Sequence, residues 1–164
     1  MRRKFVAVIG YRNSGKSTII RSLTGCESRS FIGEVQDNEA NLSIFVHAPS
    51  PQERGKVDKK VFENYLQKAK KGQRIQGLVF AIQPTIPNRR LSMEEMFSLA
   101  RQGGFECYAF ILEDPYKGKR IENFENIKSR VLDSAPDARV FALDGRRFAV
   151  LNAETIRSLS RLPY

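Results

Sequence analysis

One stretch constrains this chain more than any other: Gly10-Tyr-Arg-Asn-Ser-Gly15-Lys16-Ser17-Thr18. It fits the phosphate-binding (Walker A) pattern G-x-x-x-x-G-K-[ST]. The flanks suit the pattern. Phe5-Val-Ala-Val-Ile9 is a short apolar run rich in β-branched residues, enough for one buried strand. Behind the motif, Ser17 to Leu23 has helical spacing, with Ile19, Ile20 and Leu23 available to a core. The order strand, glycine-bounded loop, helix is the context in which such a loop can hold phosphate.

The residue types fit that chemistry. Gly10 and Gly15 permit backbone conformations and close approaches that a Cβ would block. Successive loop N–H groups can then converge on phosphate oxygens at a helix N-terminus. Asn13, Ser14, Gly15 and Thr18 are expected to supply these donors. Lys16, the catalytic candidate, neutralises the β and γ phosphates, and Ser17 offers its hydroxyl to Mg²⁺. Arg12 is unusual, a long cation able either to reach the γ-phosphate or to obstruct an incoming water. As a loop residue Lys16 is expected to be exposed. The bland alternative is a glycine-rich turn that merely starts a helix.

A chain of 164 residues fits one domain spanning 1–164 and is long enough for a core without staples. Two cysteines, Cys26 and Cys107, and a single His47 lie in no metal-ligand spacing, which suggests a reducing, cytoplasmic setting. Met1-Arg-Arg-Lys4 is a basic start, but the apolar run behind it is too short for a signal peptide. No stretch approaches the ~18 apolar residues of a membrane span. The net charge of +10 is scattered over many basic groups, Lys117, Lys119-Arg120 and Arg146-Arg147 among them. Such a surface is either simply solvated or attractive to an anionic partner, nucleic acid or an acidic protein.

Further along, Phe31–Gln36 and Leu42–His47 read as strands joined by a polar connection too short for a crossover helix, hence an antiparallel hairpin at the sheet edge. Ala48 to Gly55, with Pro49 and Pro51, reads as a loop. Val57 to Lys71 reads as a helix with Val61, Tyr65 and Leu66 inward, closed by Gly72. Gly77–Gln83 is a buried strand, and Pro84 and Pro87 enforce a loop. Ser92 with Glu95 forms a capping box for a helix to Arg101. Cys107–Leu112 is a strand, 121–134 a helix ended by Pro136, and Arg139–Leu143 a parallel strand. Asp144-Gly145 is a hairpin signal, the alternative being a strand-to-helix loop. Asn152 then caps a final helix reaching about Arg161.

The alternation implies α/β architecture: a three-layer P-loop NTPase fold, mostly parallel, with an antiparallel edge hairpin. Val8 to Gly25 resembles the first motif of the Ras-like GTPases, and most closely their Era-type branch, in which Asn stands two before the second Gly and Leu-x-Gly ends the helix. The resemblance covers most of the chain in element order, and Gln83-Pro-Thr-Ile-Pro87 is similar to the connection behind that family's fourth strand. It implies GTP or ATP bound with Mg²⁺ by a small, switch-like hydrolase.

Two family motifs are replaced. Where the third strand should end in Asp-x-x-Gly, this chain has His47-Ala-Pro-Ser50, and a neutral imidazole is a poor partner for Mg²⁺. Where Asn-Lys-x-Asp should read guanine, it has Glu113-Asp114-Pro115-Tyr116. Slow or partner-stimulated hydrolysis follows, as does an alternative, an inactive P-loop scaffold that binds a macromolecule. Tyr108 to Asp114 also resembles the acid-ended strand of the other major P-loop class, against surface acids at a strand end; the early hairpin favours the latter. In a kinase reading, Arg89, Arg90, Lys117, Lys119 and Arg120 would clamp a second phosphorylated substrate.

Overall fold

The computed structural model describes residues 2–37, 39–54, 57–84, 91–121 and 123–162. Its frame is a six-stranded sheet in the order β2 (Ile32–Asp37), β3 (Leu42–His47), β4 (Ile75–Ile82), β1 (Lys4–Ile9), β5 (Glu106–Asp114) and β6 (Arg139–Asp144), parallel except for the β2–β3 edge pair. β1 (Lys4–Ile9) is buried at every position, as a central strand covered on both faces must be. The phosphate loop leads into α1 (Lys16–Thr24), closed by Gly25 in the left-handed conformation. The expected hairpin is β2 (Ile32–Asp37) and β3 (Leu42–His47). Its turn is held by Asp37, whose carboxylate accepts the N–H groups of Glu39 and Ala40.

Helix α3 (Lys59–Lys71) is capped by Asp58 and buries Phe62, Leu66 and Ala69, with Val61 and Tyr65 only half-buried at its flank. β4 (Ile75–Ile82) follows, then α4 (Met93–Gln102) with the capping box of Ser92 and Glu95 in place. β5 (Glu106–Asp114) leads to α5 (Phe124–Ser134), which starts later than expected because Asn123 caps it. β6 (Arg139–Asp144) and α6 (Ala149–Ser160) complete the chain. Helices α3, α4 and α5 cover one face over a core rich in phenylalanine, where Phe5 sits between Phe62 and Phe97. Helices α1 and α6 cover the other. Between them they form three layers.

Three expectations are corrected. Residues 51–54 are not loop but a short helix, α2 (Pro51–Arg54), started by a proline at the position helices tolerate best. Asp144-Gly145 does not turn a hairpin, and β6 leads through the short loop 145–148 into α6, the alternative reading. The Gly145 N–H is held by the Asp114 carbonyl, and Ala153 and Ile156 are buried against α1's face of the sheet. Asn152 does not cap this helix. It lies inside it, buried, and donates from Nδ2 to the Asp144 carbonyl at 2.9 Å.

The strand order matters most for the site. β4, not β3, lies beside β1 on the hairpin side. A chain leaving β3 for the phosphate loop therefore has to cross the end of β4.

Candidate phosphate-loop site

The site lies where β1 hands over to α1, at the carboxyl end of the strands, the usual position for ligands in open α/β sheets. Gly15 has φ 101°, a conformation that favours glycine, and Asn13 stands at φ 63°. Gly10 serves packing: a Cβ there would sit 2.4 Å from Ser14 Oγ, and its N–H is used by the Ile82 carbonyl at 3.0 Å. Helices α3, α4 and α5 have side-chain caps, whereas no described side chain caps α1. The first-turn N–H groups of α1 thus remain as donors facing the loop. Ser14 Oγ is buried with no hydrogen-bond partner among the described residues.

Around this loop is an open cavity of about 530 Å³, lined by Asn13 to Thr18 together with Arg29, Glu53, Tyr116 and Lys117. That volume is within the usual range for small-ligand clefts. A larger groove of about 710 Å³ lies at the opposite strand ends, by the end of α3 and the start of β4, away from any of these groups. Of the site residues read from sequence, Asn13, Ser14, Gly15, Lys16, Ser17 and Thr18 come together in the lining. Arg12 is exposed and does not line the cavity, and Gly10 lies beneath it.

Lys16 is not the exposed residue its loop position suggests; it is 4% exposed. Its Nζ donates to the Tyr11 carbonyl at 2.7 Å and meets Glu53 Oε1 at 3.3 Å. Burial pulls its pKa below the ordinary value of 10.5, and Glu53 offsets part of that fall. Ser17 Oγ donates to the Ala48 carbonyl at 2.7 Å, which leaves its lone pairs available to a cation.

Glu53 and Arg29 are the functional candidates that sequence reasoning missed. Glu53 is the one carboxylate among the described residues lining the cavity. Its placement follows from the crossing over β4. Ser50 Oγ and Gln52 Oε1 both accept the Gln83 N–H, at 3.1 and 3.0 Å, and Gln52 Nε2 donates to the Leu91 carbonyl at 2.9 Å. Locked down in this way, α2 turns Glu53 towards Lys16. Pro51 followed by Gln-Glu was a readable helix start; the contact with Lys16 was not readable. Arg29 enters from the connection between α1 and β2 and carried no local signal.

His47 is fully buried, stacked on Phe80 with ring centroids 4.9 Å apart, its Nδ1 paired with the Pro49 carbonyl at 2.7 Å. It packs; it does not line the site. The acids at the end of β5 also stay outside the lining. Asp114 pairs with Arg120 at 2.8 Å and with Arg146 at 3.7 Å. Yet the segment just after β5 touches the loop, since the Tyr116 N–H donates to the Ser14 carbonyl at 3.1 Å. Of the proposed second-substrate clamp, Arg89 and Arg90 lie outside the described residues.

No protein-family model matches the sequence, and no curated protein matches it. Among solved structures the chain is similar to the crystal structure of a probable GTP-binding protein, EngB, with a TM-score of 0.53 and 14% identity over 95% of this chain and 97% of that one. It also aligns with a de novo designed protein of P-loop NTPase fold, with a TM-score of 0.49 and 14% identity over 98% of this chain and 93% of the design. At this identity the first likeness speaks for the fold alone, and the fold is that of a P-loop NTPase.

Proposed function

We propose that this chain binds a nucleoside triphosphate with Mg²⁺ at Asn13–Thr18 and hydrolyses it slowly unless a partner assists. The single observation that carries this reading is the uncapped start of α1 facing Lys16, with Glu53 opposite. Lys16 and the first-turn N–H groups would take the phosphate charge. Described residues hold no cluster of three or more metal-ligating side chains, so a cation here would depend on phosphate oxygens. That is how Mg²⁺ is usually held, and hard oxygen donors are at hand in Ser17 and Glu53. Mg²⁺, when bound, neutralises charge on those phosphates. Glu53 would take the place of the acid missing from the end of β3 as an oxygen donor beside the phosphates, and Arg29, also in the lining, would add a further cation. Guanine is favoured over adenine by the resemblance of the loop to Ras-like GTPases, and the likeness to EngB, described as GTP-binding, agrees with it.

The second reading, an inactive scaffold, is favoured by one observation: His47, buried among aromatic rings, stands where an acid is expected.

Thermal melting with Mg²⁺ and GTP or ATP tests the proposal. At a hundredfold excess over Kd, binding stabilises by about 2.7 kcal/mol. For a chain of this size that is a rise of about 5–11 °C. Lys16→Met should abolish it, and no rise with any nucleotide up to millimolar concentration would overturn nucleotide binding. Single-turnover hydrolysis separates the two readings. Glu53→Gln should slow it by about a hundredfold, the scale of a positioned acid or base. An unchanged rate would remove Glu53 from the chemistry, and no hydrolysis in the wild type with any partner favours the scaffold.

A further inference from the structure

Beside the phosphate site, and sharing Tyr116 and Lys117 with its lining, the most unusual surface is the corner where β5 and β6 end. Two rings stand out into solvent there, Tyr116 at 66% and Phe148 at 81% exposure. Cations surround them: Arg12, Lys117, Lys119, Arg120, Arg146 and Arg147 are all exposed. Backbone contacts make this one surface rather than three sequence neighbourhoods. Gly145 donates to the Asp114 carbonyl and lies against the Tyr116 amide, and a Cβ at Gly118 would sit 2.5 Å from the Arg12 carbonyl. Lys117 Nζ stands 5.9 Å from the Tyr116 ring centroid, and Lys119 Nζ stands 5.4 Å from that of Tyr11.

The acids present do not cancel this charge. Asp114 and Asp144 are taken up by Arg120 and Arg146. Among the described residues no carboxylate lies within ion-pair distance of Arg12, Lys117, Lys119 or Arg147.

We infer that this corner is a docking surface for single-stranded nucleic acid, with the unpaired cations on the phosphates and the rings of Tyr116 and Phe148 stacking on bases. Single strands are recognised by this combination of a basic track and exposed aromatic rings, whereas a duplex hides its base faces. An anionic membrane is the weaker match. The exposed apolar residues next to the arginines, Phe148 just before α6 and Val150 within it, are interleaved with Arg146, Arg147 and the half-buried Ala149 rather than joined in one apolar run.

Fluorescence anisotropy with a labelled single-stranded oligouridine, using the full chain, tests the inference. With four cations on phosphates, affinity should fall about 50-fold between about 50 and 200 mM salt. Phe148→Ala should weaken binding about tenfold, the scale of one lost stacking contact. Because Phe148 is outside the phosphate-loop cavity, the same variant should keep the full nucleotide-induced melting shift, so failure here and failure of the nucleotide reading are distinguishable. No binding at about 50 mM salt, wild-type affinity in Phe148→Ala, or equal affinity for a duplex of the same length would overturn it. So would binding to phosphatidylserine vesicles without binding to the oligouridine.

Discussion

The two flanks of the phosphate loop are built on opposite plans. On one side, residues 48–52 are pressed into the protein, with Ser50 and Gln52 each 1% exposed and tied by hydrogen bonds to Gln83 and Leu91. On the other, residues 116–120 and 146–148 stand in water and are held by ion pairs between half-exposed and exposed side chains. Buried polar networks are costly to disturb and fix geometry; exposed charges add little stability but attract ligands from a distance. The first flank is made to hold one carboxylate in place. The second is made to be touched.

The largest effect should come from loosening the buried flank. Gln52→Leu keeps the volume but removes the acceptor shared by Ser50 and Gln83 and the donor to Leu91. Losing a buried network of this kind costs about 2–3 kcal/mol. A drop of about 4–12 °C in the melting temperature follows. Nucleotide affinity should fall with it, because Glu53 loses its support. A melt unchanged from wild type would break the comparison, since the flank would then be no more rigid than its opposite.

A smaller effect is carried by pH. Burial lowers the pKa of Lys16 in the folded protein, while the unfolded chain keeps the ordinary value of 10.5. Between those two values the unfolded chain holds a proton that the folded one has released, so stability rises with pH through that window. Lys4, also buried, shifts the same way, and subtracting a Lys16→Met variant isolates Lys16. Denaturant melts from about pH 8 to about 10.5 should show the wild type gaining stability relative to Lys16→Met. A parallel pair of curves would mean that Lys16 is solvated after all.

The difference between the flanks also explains what could be read from the sequence. The strand, loop and helix at Phe5–Leu23 were legible because each signal is local: glycine spacing, an apolar run, a 3.6-residue period. So were the β2–β3 hairpin, forced by its short connection, and the capping box at Ser92. The strand order was not. Leu42–His47 and Ile75–Ile82 are both buried apolar runs, and nothing in either says which lies beside β1. With that neighbour unknown, the path of residues 48–53 over β4 and the meeting of Glu53 with Lys16 could not be foreseen. At Asp144-Gly145 a local turn signal was overridden by tertiary packing, although Asn152, Ala153, Ile156 and Ser160 already fall on one helical face.

The smallest effect tests the exposed flank. Asp114 is 29% exposed, and its partners Arg120 and Arg146 are 63% and 66% exposed. Pairs of that kind are worth less than about 1 kcal/mol each. Asp114→Asn removes both and should therefore lower the melting temperature by less than about 8 °C. Its effect on polyanions should have the opposite sign. With the carboxylate gone, Arg120 is free to meet phosphate while Arg146 keeps its pair with Asp144, and each added phosphate contact steepens the salt dependence by about 0.7 in log–log slope. Oligouridine should bind a few-fold tighter at about 50 mM salt, and that gain should shrink as salt rises and screening shortens the reach of the charges. A loss of more than about 2 kcal/mol of stability would make Asp114 a structural member of a network like that of Gln52. Weaker oligouridine binding by a fully folded variant would show that the arginines need Asp114 to hold them in place, and the exposed flank would then be as preorganised as the buried one.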